Sequence, residues 1–122
     1  MESRRKRFRF RYVFLSVMIT GIIIFTIKYK YEHTFSTNRW IEFPRERVKM
    51  VDSLLEKHVL VGKSKEEIIG LLGNETENAY FKEVNNFVYY MGDERGLISI
   101  DSEWLVIEFR NNVVIDAKIM RD

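Results

Sequence analysis
Sixteen consecutive residues without a charge, Tyr12 to Ile27, constrain this chain more than any other feature in it. As a helix rising about 1.5 Å per residue they cover roughly 24 Å, a little less than a hydrocarbon core of about 30 Å. The flanks can make up the difference. Six basic residues precede the stretch within Arg4-Arg5-Lys6-Arg7-Phe8-Arg9-Phe10-Arg11, and Lys28 and Lys30 follow it. Long basic side chains reach back to the head groups, and Phe8, Phe10, Tyr12, Tyr29 and Tyr31 suit the two interfacial belts.

Three readings of this stretch compete. A cleaved signal peptide has a similar basic and apolar layout, but it needs small residues at a cleavage site soon afterwards. The chain continues Ile27-Lys28-Tyr29-Lys30-Tyr31-Glu32-His33, and Thr34-Phe35-Ser36 is the nearest small-x-small pattern. A core helix of a soluble protein has no use for six basic residues on one flank. An uncleaved signal anchor fits both flanks best. The positive-inside rule then predicts a single-pass cell-membrane protein with Met1 in the cytoplasm and the C-terminal part outside. The predicted layout is a basic cytoplasmic tail over 1–11, a transmembrane anchor over 12–28, a tether over 29–42 and an extracytoplasmic domain over 43–122.

Charge is divided unevenly along the chain. Residues 1–30 hold eight Lys or Arg against one Glu, so the remainder of this +2 chain carries a net −5. A nucleic-acid binder concentrates positive charge on its folded module, which is the reverse of this pattern, so no nucleic-acid partner is expected. Interleaved Arg and Phe could stack on bases or hold anionic lipid, but directly before an apolar stretch they read as a topology signal. There is no cysteine, which removes disulfides, thiolate metal sites, cysteine nucleophiles and lipid attachment through a thiol.

Beyond the anchor the pattern is α+β. Pro44 suits a first helical turn, and Val48, Val51, Leu54, Leu55 and His58 recur at helical spacing, predicting a helix to His58 with Phe43 packed back on its start. Ser64 and Glu67 have the spacing of a capping box, opening a short helix through Leu72 that Gly73 ends. Ala79–Phe81 reads as a weak strand and Asn86–Met91 as a stronger one. Leu97–Asp101 is either a short edge strand or a loop. Glu103–Phe109 and Val113–Met120 form a hairpin. A three-residue loop, Arg110 to Asn112, pairs Phe109 with Val113, Ile107 with Ile115 and Leu105 with Ala117. That gathers the apolar residues on one face, whereas a two-residue turn sets Ile107 against Asp116 and Leu105 against Lys118. Trp104 and Val106 then fall on the polar face, where a covering loop or a partner is needed. The predicted fold is two short helices on one face of a three- to four-stranded antiparallel sheet.

The run from Leu60 to Gly73 resembles the opening signature of the SmpA/OmlA family of small outer-membrane-assembly lipoproteins. The matching positions are Gly62, Ser64, Glu67, Ile68, Leu72 and Gly73, followed by Tyr89-Tyr90 and a late strand pair carrying Trp104. The resemblance covers roughly residues 45 to 120. It implies the wider fold of the beta-lactamase-inhibitor proteins and a membrane-tethered module outside the cytoplasm that contacts other proteins. The chain departs from the family at Glu75, where Gly-x-Pro is frequent after the second helix, and in having an apolar anchor instead of a lipidated cysteine.

No constellation of catalytic residues stands out. His33 and His58 lack a neighbouring ligand set, Ser64 is explained by its cap, and Asp93, Glu94, Asp101 and Glu103 lack the spacing of a known cation loop. No catalytic residue, cofactor, metal or small-molecule substrate is expected. The expectation is a non-enzymatic module that binds another membrane or envelope protein through Tyr89, Tyr90, Asp93, Glu94, Arg95 and Trp104, since Tyr and Trp are enriched at binding hot spots. The alternative is an inhibitor or immunity-type protein whose Gly92–Gly96 loop blocks a partner enzyme.

Overall fold
A computed structural model describes residues 2–122; Met1, where the predicted cytoplasmic tail begins, lies outside them. The chain divides into two compact units, Met1–Tyr31 and Glu32–Asp122. The first is built on helix α1, Glu2–Glu32, which runs unbroken through the basic and apolar segments. It is long and apolar enough to cross a membrane, and none of its side chains is buried by protein, which sets aside the core-helix reading. Two of its hydroxyls bond back to the backbone: Thr20 and Thr26 donate to the carbonyls of Ser16 and Ile22 at 2.9 and 2.8 Å, which leaves those donors with no need of water.

The second unit has the predicted α+β architecture. Helix α2 covers Thr37–Glu42, a 3₁₀ turn covers Pro44–Glu46, α3 covers Arg47–Lys57 and α4 covers Lys65–Leu72. Strands β1 (Asn86–Asp93), β2 (Ser102–Arg110) and β3 (Val113–Arg121) form an antiparallel meander in that order. Tyr89 and Met91 of β1, Leu105, Ile107 and Phe109 of β2 and Val114 of β3 face the helices. They enclose a core with Trp40, Met50, Val51, Leu54, Ile68 and Leu72.

Several boundaries differ from expectation, each for a physical reason. The stretch 29–42, expected as a tether, is largely helical: α1 continues to Glu32, and α2 buries Trp40 completely against Tyr89 and Phe35. Pro44 opens a 3₁₀ turn rather than α3 itself, and the buried stripe of α3 includes Arg47 and Met50 while Leu55 and His58 are only half-buried. Phe43 stays exposed instead of packing back. Ala79–Phe81 is a turn, not a strand. The capping box forms as predicted: Glu67 N–H donates to Ser64 Oγ at 3.1 Å, and the Glu67 carboxylate accepts from Ser64 N–H.

The hairpin register is also different. The turn has two residues, Asn111 and Asn112, both left-handed with φ of 51° and 67°, which matches the twist of the flanking strands. Arg110 faces Val113 and Phe109 faces Val114; a bulge at Ile115 then shifts the register, so Ile107 faces Ala117 and Leu105 faces Ile119. One extra residue in β3 removes the apolar-against-charge mismatch that counted against a two-residue turn. Val114 is thereby the inward residue, and Val113 and Ile115 are exposed.

Candidate functional site
The face of the sheet away from the helices is covered, as Trp104 and Val106 require. Residues 74–85 cross it, and Ala79 and Phe81 pack on Val88, Val106, Trp104 and Met120. Asn86, buried at the start of β1, holds this cover in shape: its Oδ1 accepts from Glu83 N–H and its Nδ2 donates to the Phe81 carbonyl, both at 2.9 Å. Lys82 donates to the Asn86 carbonyl and pairs with Glu75 at 2.8 Å. Thr76 donates its N–H to the Val88 carbonyl and accepts from Tyr90 N–H, both at 2.9 Å, so the cover occupies part of the free edge of β1.

The cover reaches Met120 of β3 but leaves open a groove of about 510 Å³ toward the start of that strand, lined by Val84, Asn85, Glu108, Phe109 and Ile115, continuous in its lining with a second depression of about 220 Å³ beside Tyr80, Lys118 and Met120. Val84 is 93% exposed and Tyr80 70%. Glu83 and Glu108 add acidic groups to the lining, and Lys118 is held by Glu108 at 3.2 Å. An apolar rim with acidic and amide groups between can take an extended chain segment.

The expected contact residues are dispersed. Tyr89 is fully buried on the helix side, where its hydroxyl donates to the Gly73 carbonyl at 2.8 Å; burial, with the negative charge of Glu75, pushes that phenol well above its usual range. Tyr90 and Trp104 meet edge to face at 5.3 Å on the covered side, and the Trp104 indole N–H donates to Asp122 at 3.0 Å. The Asp122 carboxyl is lowered by hydrogen bonds from Ser102 N–H and from that indole. Asp93 is an exposed strand end. Glu94 and Arg95 work inside the β1–β2 loop. Glu94 accepts from Ile100 N–H at 3.1 Å, while its own N–H donates to the Asp101 carbonyl at 2.9 Å.

Arg95 is the centre of a clamp. Its backbone N–H donates to Glu103 Oε2 at 2.7 Å, its Nη2 to Glu103 Oε1 at 3.0 Å, and its Nη1 to Asp52 Oδ2 at 2.8 Å. Burial alone would raise the Glu103 carboxyl, but the Arg95 hydrogen bonds and charge outweigh it and hold the group below its ordinary value. The same partners raise Arg95. Glu103 therefore faces a guanidinium rather than the neighbouring carboxylates. Arg47, unlike Arg95, is buried; it is bonded to the Trp40 carbonyl at 2.6 Å and the Tyr90 carbonyl at 3.0 Å, and burial lowers it to about 10.

Among the described residues no cluster of His, Asp and Glu could hold a metal ion. The groove could not be read from the sequence, because Val84, Glu108 and Ile115 come from separate elements and the bulge decides where Ile115 points. The aliphatic run at Leu97, Ile98 and Ile100 was visible, and the structure leaves all three exposed at the tip of the clamped loop. No protein-family model, curated protein or solved structure matches the chain.

Proposed function
We propose that this chain is a single-pass membrane protein with a cytoplasmic N-terminus, whose α+β domain lies outside and binds a segment of another membrane or envelope protein without catalysing a reaction. The observation that carries this reading is the groove beside residues 83–86 and the start of β3, with exposed apolar side chains at Val84 and Ile115 and acidic ones at Glu83 and Glu108. An extended segment with alternating apolar and basic side chains complements it. The basic flank before α1 supports the orientation. Short helices followed by an antiparallel meander, with the Ser64 cap and Gly73, support kinship with SmpA/OmlA-type domains.

Photo-crosslinking in membranes tests the groove. Probes at Val84 and Ile115 should yield the same adduct, one at Val59 should not, and Glu108→Lys should abolish the adduct without lowering the amount of protein. Equal adducts from all three positions, or none from the groove, would overturn the assignment. Protease added to intact cells tests orientation: a protected domain beside a digested outside control means that it faces inward.

A further inference from the structure
The loop joining β1 to β2 ends in aliphatic side chains: Leu97, Ile98 and Ile100 are 103%, 73% and 83% exposed. Flexible disorder does not explain the display, since the loop is cross-braced. The Glu94 N–H reaches the Asp101 carbonyl at 2.9 Å, Ile100 N–H reaches the Glu94 carboxylate at 3.1 Å, Ser99 Oγ donates to the Glu94 carbonyl at 2.6 Å, and Arg95 N–H is taken by Glu103. These bonds satisfy the N–H groups of Glu94, Arg95 and Ile100 and the Ser99 hydroxyl, so the base of the loop is held in one shape. The tip lacks the Tyr, Trp and Arg that mark protein hot spots.

The base of this loop and the point where the chain enters the domain share one stretch of α3. Lys49 pairs with Glu32 at 3.8 Å, Ser53 Oγ accepts from Phe35 N–H at 2.9 Å, and Asp52 between them holds Arg95 at 2.8 Å. Lys49, Asp52 and Ser53 lie on one face of the helix by their spacing. Glu32 follows the apolar stretch by only five residues. The loop base thus lies beside the residues through which the chain enters the domain.

We infer that Leu97, Ile98 and Ile100 enter the interfacial layer of the bilayer that holds Tyr12–Ile27 and give the domain a second, shallow membrane contact. This rests on the anchor assignment proposed above. At the loop base the carboxylates of Asp52, Asp93, Glu94, Asp101 and Glu103 outnumber the cations Arg95 and Arg121, so the contact is driven by apolar area, prefers neutral lipid and is insensitive to salt.

The absence of cysteine makes the test direct. The full chain carrying Ile98→Cys, labelled with an environment-sensitive NBD group, is reconstituted at high lipid-to-protein ratio in phosphatidylcholine vesicles. Emission should be blue-shifted, and lipid carrying a doxyl group near the head group should quench it at least twofold more than the same label at Arg110→Cys. Adding Leu97→Asp and Ile100→Asp should return the label at position 98 to a water-like spectrum. A label at Ile23→Cys reads the anchor separately. If position 23 is quenched and position 98 is not, the loop inference fails while the anchor stands; if position 23 is not quenched, the anchor itself is wrong. A blue shift at 98 that escapes lipid quenching and grows with protein density would mean that a second copy covers the loop, and would also overturn the inference.

Discussion

Gly92 is the position where a single added carbon should do most damage. It follows the bulge of β1 at Met91, opposite Glu103, with φ at +118°. A Cβ built there falls inside van der Waals contact of the Arg45 carbonyl oxygen, with the Arg45 carbonyl carbon at 3.1 Å and its Cα at 3.3 Å. Backbone forced into a region essentially reserved for glycine costs about 1–3 kcal/mol. Driving a carbon into packed backbone costs about another 1–3 kcal/mol, since the 3₁₀ turn must shift away from β1. Gly92→Ala should therefore lose roughly 2–6 kcal/mol, a large part of the roughly 5–15 kcal/mol that holds a domain together. Gly62→Ala is the control: its φ is +93°, but nothing lies within 4 Å of the new Cβ, so only the backbone cost of about 1–3 kcal/mol applies. Urea titration of the full chain in detergent, followed by the fluorescence of Trp40 and Trp104, reads both. At a slope of roughly 1–3 kcal/mol per molar urea, the two midpoints should be clearly separated, with Gly92→Ala the lower. Equal midpoints would refute the argument, because they would mean that the approach to Arg45 carries no cost.

Two further predictions concern the clamp and the cap. Glu103 has its carboxyl lowered in the folded chain, so its stabilising contribution is present above the ordinary value of 4.5 and is lost as pH falls through the lower folded value; cleavage in the 94–101 loop by an acid-active protease should rise over that interval. Glu103→Gln should remove the pH dependence and leave the loop cleavable at neutral pH, and an unchanged cleavage profile would refute the clamp. Ser64→Ala removes the oxygen that accepts from Glu67 N–H and should cost about 1 kcal/mol by the same urea titration.

How much of this was legible depended on how local each interaction is. The Ser64 cap, the α3 stripe through Val48, Val51 and Leu54, and the three strand cores depend on neighbours within one element, and all could be read from spacing. Trp40 could not be placed, because α2 is too short to show a period and its burial comes from Phe35 and Tyr89. The hairpin alternation was sound as an argument about faces, yet a bulge at Ile115 achieved the same burial by a different route. The need for something over Trp104 and Val106 was legible, but its identity as residues 74–85 was not, since Asn86 and Thr76 hold that cover through contacts with no sequence period. The Arg95 clamp joins a loop, a strand and α3 across 43 positions between Asp52 and Arg95, a distance at which spacing carries no signal.

The outer edge of β3 bears on how many copies can share a surface. A bare strand edge is a template for another chain. Here the start of that edge is already taken: Gly62 N–H donates to the Val114 carbonyl and Val114 N–H to the Lys63 carbonyl, at 2.9 and 2.8 Å. The bulge at Ile115 then bends the strand, and Lys118 and Arg121 stand along the remainder. A neighbouring β3 would find no long, flat run to zip against. Crowding should therefore leave these domains separate rather than fused into fibrils, which keeps their grooves available.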